Sequence, residues 1–134
     1  MMHKGLSSTS RIDSFHGLLC EAASTAQIKA LVNYFAQAAR RARGGLGRGG
    51  AAFVPGYLFT QFLSSASNDC KDEYGESLEN RYRFLHEVIE AIRKEVGHDF
   101  HLQVKMNAID VNNAIYPEER KGNTLEEYIH LQMG

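Results

Sequence analysis

GYLFTQFLSSASNDCKDEYGESLENRYRFLHE, residues Gly56 to Glu87, is the stretch whose reading decides the fold. Its last third opens a helix. Ser77 stands at a capping position, and Leu78, Phe84, Leu85, Val88, Ile89, Ile92 and Val96 recur at the spacing of one buried helical face. Gly97 ends that helix. The middle, Ser64 to Glu76, is polar. Asn and Asp bond their own backbone in turns, so Asn68 and Asp72 predict a shaped loop, and Gly75 permits positive φ there.

Upstream, Thr25 to Arg43 is a second helix. Ile28, Leu31, Val32, Phe35, Ala38, Ala39 and Ala42 make its apolar stripe. Arg40, Arg41 and Arg43 crowd its last turn, where the helix dipole favours cations. Gly44 to Gly50 reads GGLGRGG, with neither a GxGxxG fingerprint nor a GK[ST] ending, so it is not a nucleotide loop. Ala51 to Val54 can form a short strand. Downstream, Phe100, Leu102, Val104 and Met106 alternate with His101, Gln103 and Lys105, which predicts a strand. Thr124 to Glu127 is a capping box that opens a last helix. Residues 1–24 show no clean period. Leu18 and Leu19 suggest a short helical turn, and the segment reads as poorly ordered.

Composition bounds the function. With 134 residues, 43% hydrophobic and 23% charged, the chain reads as an ordinary soluble globular protein of one domain at most. A formal net charge of −1 gives no field for nucleic acid or an anionic membrane surface. No apolar run reaches the length of a membrane span. Cys20 and Cys70 stand in no metal or redox spacing, which predicts a reduced, cytoplasmic protein. The six histidines form no ligand spacing.

The fixed positions in the deciding stretch are Gly56-Tyr57-Leu58, Gln61-Phe62-Leu63, Asn68, Asp72, Tyr74-Gly75, Ser77, Asn80-Arg81, Arg83-Phe84 and Glu87. This pattern resembles the old yellow enzyme family, the FMN-dependent NAD(P)H:flavin oxidoreductases, from about Ile28 onward. The resemblance implies a (β/α)8 barrel. Such a barrel takes about 250 residues, so the expected fold class is α/β, a partial TIM barrel ordered helix–strand–long loop–helix–strand–helix, over residues 25–134.

The resemblance also implies roles. Tyr57 would be the proton donor to the acceptor, as a general acid; the plain alternative is a tyrosine packed on Phe59 or Phe62. Lys105, at the C-terminal end of its strand, would contact the pyrimidine edge of FMN; the alternative is an ordinary surface lysine. The family's pair of side chains that bind a substrate carbonyl falls on Ala52 and Pro55, and neither can donate a side-chain hydrogen bond. The register is lost between Gly44 and Pro55, as a local reading-frame slip would leave it. Cys70 replaces a usual arginine. Glu76 replaces a usual glycine, which predicts a relaxed turn. Arg81 and Glu87 are expected to tie their helix to neighbouring loops.

The implied function is FMN-dependent reduction of an activated alkene or similar acceptor, with NAD(P)H as reductant. FMN binding by this chain alone is expected to be weak or absent. The competing expectation is a non-catalytic barrel piece that self-associates through open barrel edges or pairs with a full-length relative.

Overall fold

The structure is a computed structural model and describes residues 5–12, 17–46, 51–53, 58–110 and 121–133. Three short strands come first: β1 (Gly5–Ser7), β2 (Arg11–Ile12) and β3 (Leu19–Ala22). They form one sheet in the order β1-β3-β2, with β1 parallel and β2 antiparallel to β3. Leu19 therefore opens a strand rather than the helical turn expected of Leu18 and Leu19. Of the segment expected to be poorly ordered, residues 5–12 and 17–24 are described, and Ser8 and Thr9 bond to the body. Ser7 and Ser8 are buried. Ser8 Oγ donates to the Gln61 carbonyl at 2.6 Å, and Thr9 Oγ1 accepts from the Asp69 amide at 2.8 Å. A period-2 pattern cannot show in strands of two to four residues, so the sequence carried no signal for them.

Helix α1 spans Thr25–Leu46. It runs past Arg43 through Gly44 and Gly45, beyond the expected end. Ser24 and Gln27 close its N-terminus by mutual side-chain bonds, with Gln27 Oε1 accepting from the Ser24 amide at 2.9 Å. In the last turns, Arg43 is fixed by a two-pronged pair to Asp99, 2.8 and 3.0 Å, and donates to the Val96 carbonyl. The basic cluster thus joins α1 to the end of the next long helix.

Strand β4 is Ala51–Phe53. Residues 54–57 lie outside the described part, and the chain resumes in the short helix α2, Leu58–Leu63. Helix α3 spans Leu78–Val96, and β5 is Leu102–Val104. β4 and β5 pair in parallel, Ala51 to Leu102, Ala52 to Gln103 and Phe53 to Val104. A parallel pair needs a crossover, and α2, the polar loop and α3 supply it. Helix α4, Leu125–Met133, follows. Thr124 and Glu127 form the expected capping box. Glu127 Oε2 accepts from the Thr124 amide at 2.8 Å, and Thr124 Oγ1 accepts from the Glu127 amide at 3.3 Å.

The core lies between α1, α2, α3 and the outward side of β5. Ile28, Ala39, Phe62, Tyr74, Phe84, Val88, Ile92, Val96 and Phe100 are buried there, with Leu102 and Val104 packed against them. An aromatic stack locks α2 into it. Phe59 lies 4.9 Å from Phe84 in a stacked pair, and Phe62 lies 5.0 Å from the same ring. Such pairs add about 0.5–1.5 kcal/mol each beyond burial. A second cluster of Leu63, Leu85, Tyr128 and Leu131 seats α4 on α3. Alternation along β5 sorts as expected: Leu102 and Val104 pack against the helices, while His101, Gln103 and Lys105 are exposed on the other side.

Candidate active site

The loop that the deciding stretch predicts is built by its own side chains. Asn68 is buried, and its Nδ2 donates to the carbonyls of Phe62 and Tyr74, both at 2.7 Å. Its Oδ1 accepts from the Cys70 amide at 2.9 Å. Asp72 Oδ1 accepts from the Tyr74 amide at 3.0 Å. These are the short local bonds that Asn and Asp make in turns.

Two glycine expectations are corrected. Gly75 does not take a positive φ; it is needed because a Cβ there would lie 2.0 Å from the Cys70 carbonyl oxygen. The left-handed position is the next one, Glu76, at φ 69°. The turn has not relaxed, because the Glu76 carbonyl is held by Arg81 Nη1 at 2.8 Å. Cys70, in place of the usual arginine, donates its thiol to the Ser8 carbonyl at 3.0 Å. Burial first, then Asp72, pushes that thiol up, which disfavours the thiolate.

Arg81 and Glu87 tie α3 to its surroundings, as expected. Glu87 accepts from the Tyr74 hydroxyl at 3.0 Å and from Lys29 Nζ at 2.7 Å. Lys29 also sits over the Tyr74 ring, 5.4 Å from its centre. The bond to Glu87 is the main cause that raises the lysine's pKa above its ordinary value. Arg81 is 6% exposed and does more. Its Nε donates to the Leu63 carbonyl at 3.0 Å, and its Nη2 reaches both Asn123 Oδ1 and Glu127, each at 3.0 Å.

Asn123 is fully buried. Its Nδ2 donates to the same Leu63 carbonyl at 2.9 Å, and its Oδ1 accepts from the Ser65 amide. Asp110 completes the network. It accepts from the Asn123 amide at 3.1 Å and from the Tyr128 hydroxyl at 2.9 Å, and its own amide donates to the Asn123 carbonyl. Burial, then the Asp110 charge, raises the Tyr128 phenol well above its usual pKa. The sequence reading missed Asn123, Asp110 and Tyr128. Asp110 lies on a different segment from Asn123 and Tyr128, and nothing in the spacing announces that they meet.

The expected site residues fall as follows. Lys105 is exposed immediately after β5, on the side that alternation assigns to the barrel interior. Ala52 is the central residue of β4, and its backbone pairs with Gln103. Tyr57 and Pro55 lie outside the described residues. β4 and β5 are parallel, so Phe53 and Val104 mark the same end of the two strands. In barrel enzymes that C-terminal end carries the chemistry.

The comparisons with known proteins agree with this architecture. Residues 12–124 match the NADH:flavin oxidoreductase / NADH oxidase family, and the chain belongs to that family of oxidoreductases. It is 49% identical over 88 residues to an NADPH dehydrogenase of Bacillus velezensis, a match covering 65% of this chain and 25% of that protein. It is 35% identical over 108 residues to a probable flavin mononucleotide-dependent alkene reductase of Leishmania infantum, covering 80% of this chain and 29% of the relative. Among solved structures, a 2-naphthoyl-CoA reductase superposes on 95% of this chain with a TM-score of 0.82 and 32% identity, over 18% of its own length. The old yellow enzyme of a Pichia species gives 0.66 and 30% identity over 74% of this chain and 28% of its own. The chain thus spans about a quarter of the length of the curated relatives it matches. Its fold is α/β, part of a TIM barrel. Among the described residues, no helix is long and apolar enough to cross a membrane.

Proposed function

We propose that the chain carries part of the active site of an FMN-dependent NAD(P)H oxidoreductase of the ene-reductase type. The observation that supports it most is the shared end of β4 and β5. Lys105 follows Val104 there, and Tyr57 follows Phe53 by a few residues of chain. FMN, when bound, would take a hydride from NAD(P)H and deliver it to an activated alkene. Lys105 is an exposed cation that could meet the electron-rich edge of a flavin, and a fixed positive charge there stabilises the reduced form. Tyr57 would supply the proton to the acceptor carbon.

The fit is partial. Lys105 suits one edge of the flavin, but Ala52 has no side chain to orient an acceptor, and Pro55 lacks a donor altogether. A closed barrel also needs more strands than a chain of this length supplies. The 134 residues by themselves would therefore bind FMN weakly and turn over slowly or not at all.

The second reading is a non-catalytic barrel piece that self-associates or joins a longer relative. It is favoured by the two-stranded β4–β5 sheet, whose outer edges are paired with no other described strand. Assaying the chain with FMN kept in excess, so that weak binding still populates the complex, and sizing it on a column separates the two. NADPH oxidation that is lost in Tyr57→Phe supports the enzyme. No oxidation, from a chain that elutes as a dimer, supports the second reading.

A further inference from the structure

The candidate site has two halves, and they are carried by segments far apart in the chain. Tyr57 leads directly into α2, whose last residue is Leu63. Lys105 leads into the loop that reaches Asp110. Between those segments lies the buried network around Arg81. The Leu63 carbonyl accepts from both Arg81 Nε and Asn123 Nδ2, at 3.0 and 2.9 Å. Asn123 in turn exchanges two bonds with Asp110, through its amide to the carboxylate at 3.1 Å and its carbonyl to the Asp110 amide at 3.0 Å. Arg81 also binds Asn123 Oδ1, so one guanidinium touches both the α2 end and the residue that holds the Lys105 loop.

We propose that Arg81, acting through Asn123, is a positioning residue that fixes the helix after Tyr57 and the loop after Lys105 in one register. This rests on the reading of Tyr57 and Lys105 as the site. A lone ion pair with Glu127 does not account for the geometry. That carboxylate is one of four acceptors, and the other three are the carbonyls of Leu63 and Glu76 and the Asn123 side chain. A planar fork with fixed donors can span them; a lysine ammonium at one point cannot. The network is also closed. Among the described residues, no buried side-chain nitrogen or oxygen lacks a hydrogen-bond partner. A closed polar network specifies one arrangement.

The test uses the full chain, with amide hydrogen exchange and the backbone amide shift of Lys105 as readouts. Arg81→Lys keeps the charge and loses the fork. It should speed exchange at the Asp110 and Asn123 amides at least tenfold and move the Lys105 shift, while the α3 core amides at Val88 and Ile92 keep their protection. Asn123→Ala should give the same local signature. Glu127→Gln removes only the charge of the partner and should leave Asp110, Asn123 and Lys105 unchanged. Unchanged exchange in Arg81→Lys would overturn the proposal. So would equal acceleration at every amide, or loss of the fold, because each would make Arg81 an ordinary stability residue. These readouts need no flavin, so an absence of flavin binding would count against the functional reading alone.

Discussion

Glu76 is held at φ 69° with a side chain attached, and replacing it with glycine should stabilise the chain. A left-handed backbone costs an L residue about 1–2 kcal/mol. Glycine removes that cost but loses about 0.5–1 kcal/mol through the greater freedom of the unfolded chain. The substitution also deletes the Lys71–Glu76 pair, 3.6 Å apart with both side chains mostly exposed, which contributes about 0.2–0.5 kcal/mol. The Glu76 carbonyl that Arg81 holds is backbone and survives. The sum is a net gain of about 0.5 kcal/mol for Glu76→Gly. Glu76→Ala loses the ion pair and keeps the Cβ, so it should fall slightly below the parent. The difference between the two variants isolates the backbone term at about 1 kcal/mol, or roughly 3–4 °C in Tm for a domain of this size. Differential scanning calorimetry of the three proteins at one pH measures it. Glu76→Ala equal to or more stable than Glu76→Gly would refute the reasoning.

Other variants probe the core and the polar network. Phe84→Ala removes the ring that Phe59 and Phe62 both pack against and should cost about 3–5 kcal/mol by urea denaturation. Tyr128 has its phenol pKa raised by burial first, so the folded state keeps a proton that the unfolded chain releases near pH ~10. Stability should therefore be flat in this term below that pH and fall as pH rises above it. Tyr128→Phe should flatten the alkaline slope while lowering stability near neutrality by about 1–3 kcal/mol, since Asp110 loses a buried donor. Thermal melts of parent and variant from neutral to alkaline pH check both signs.

The long elements were legible because burial repeats along them. Ile28 to Ala39 in α1 and Phe84 to Val96 in α3 carry a clean stripe, and Ser77, Gly97 and the Thr124 box mark the ends. Helix α2 was not read, although Leu58, Phe59, Phe62 and Leu63 have helical spacing, because six residues give less than two turns of pattern. The loop was legible in kind but not in detail. Asn68 and Asp72 announced turns, yet which of Gly75 and Glu76 takes the left-handed backbone depends on where the Cys70 carbonyl and Arg81 fall. The Arg81 network was illegible for the same reason. Its members meet only after α2, α3 and α4 have packed, and a buried polar contact across segments leaves no local period. For the site, Lys105 stands where alternation placed it, while Tyr57 and Pro55 lie outside the described residues.

Flavin binding at Lys105 is tested most directly by titrating the purified chain with FMN, followed by flavin fluorescence, for the parent and for Lys105→Gln. Binding should be weak, with Kd above about 10 μM (near −7 kcal/mol), and a further several-fold weaker in Lys105→Gln. Tight stoichiometric binding, or a Lys105→Gln titration that overlays the parent, would contradict it.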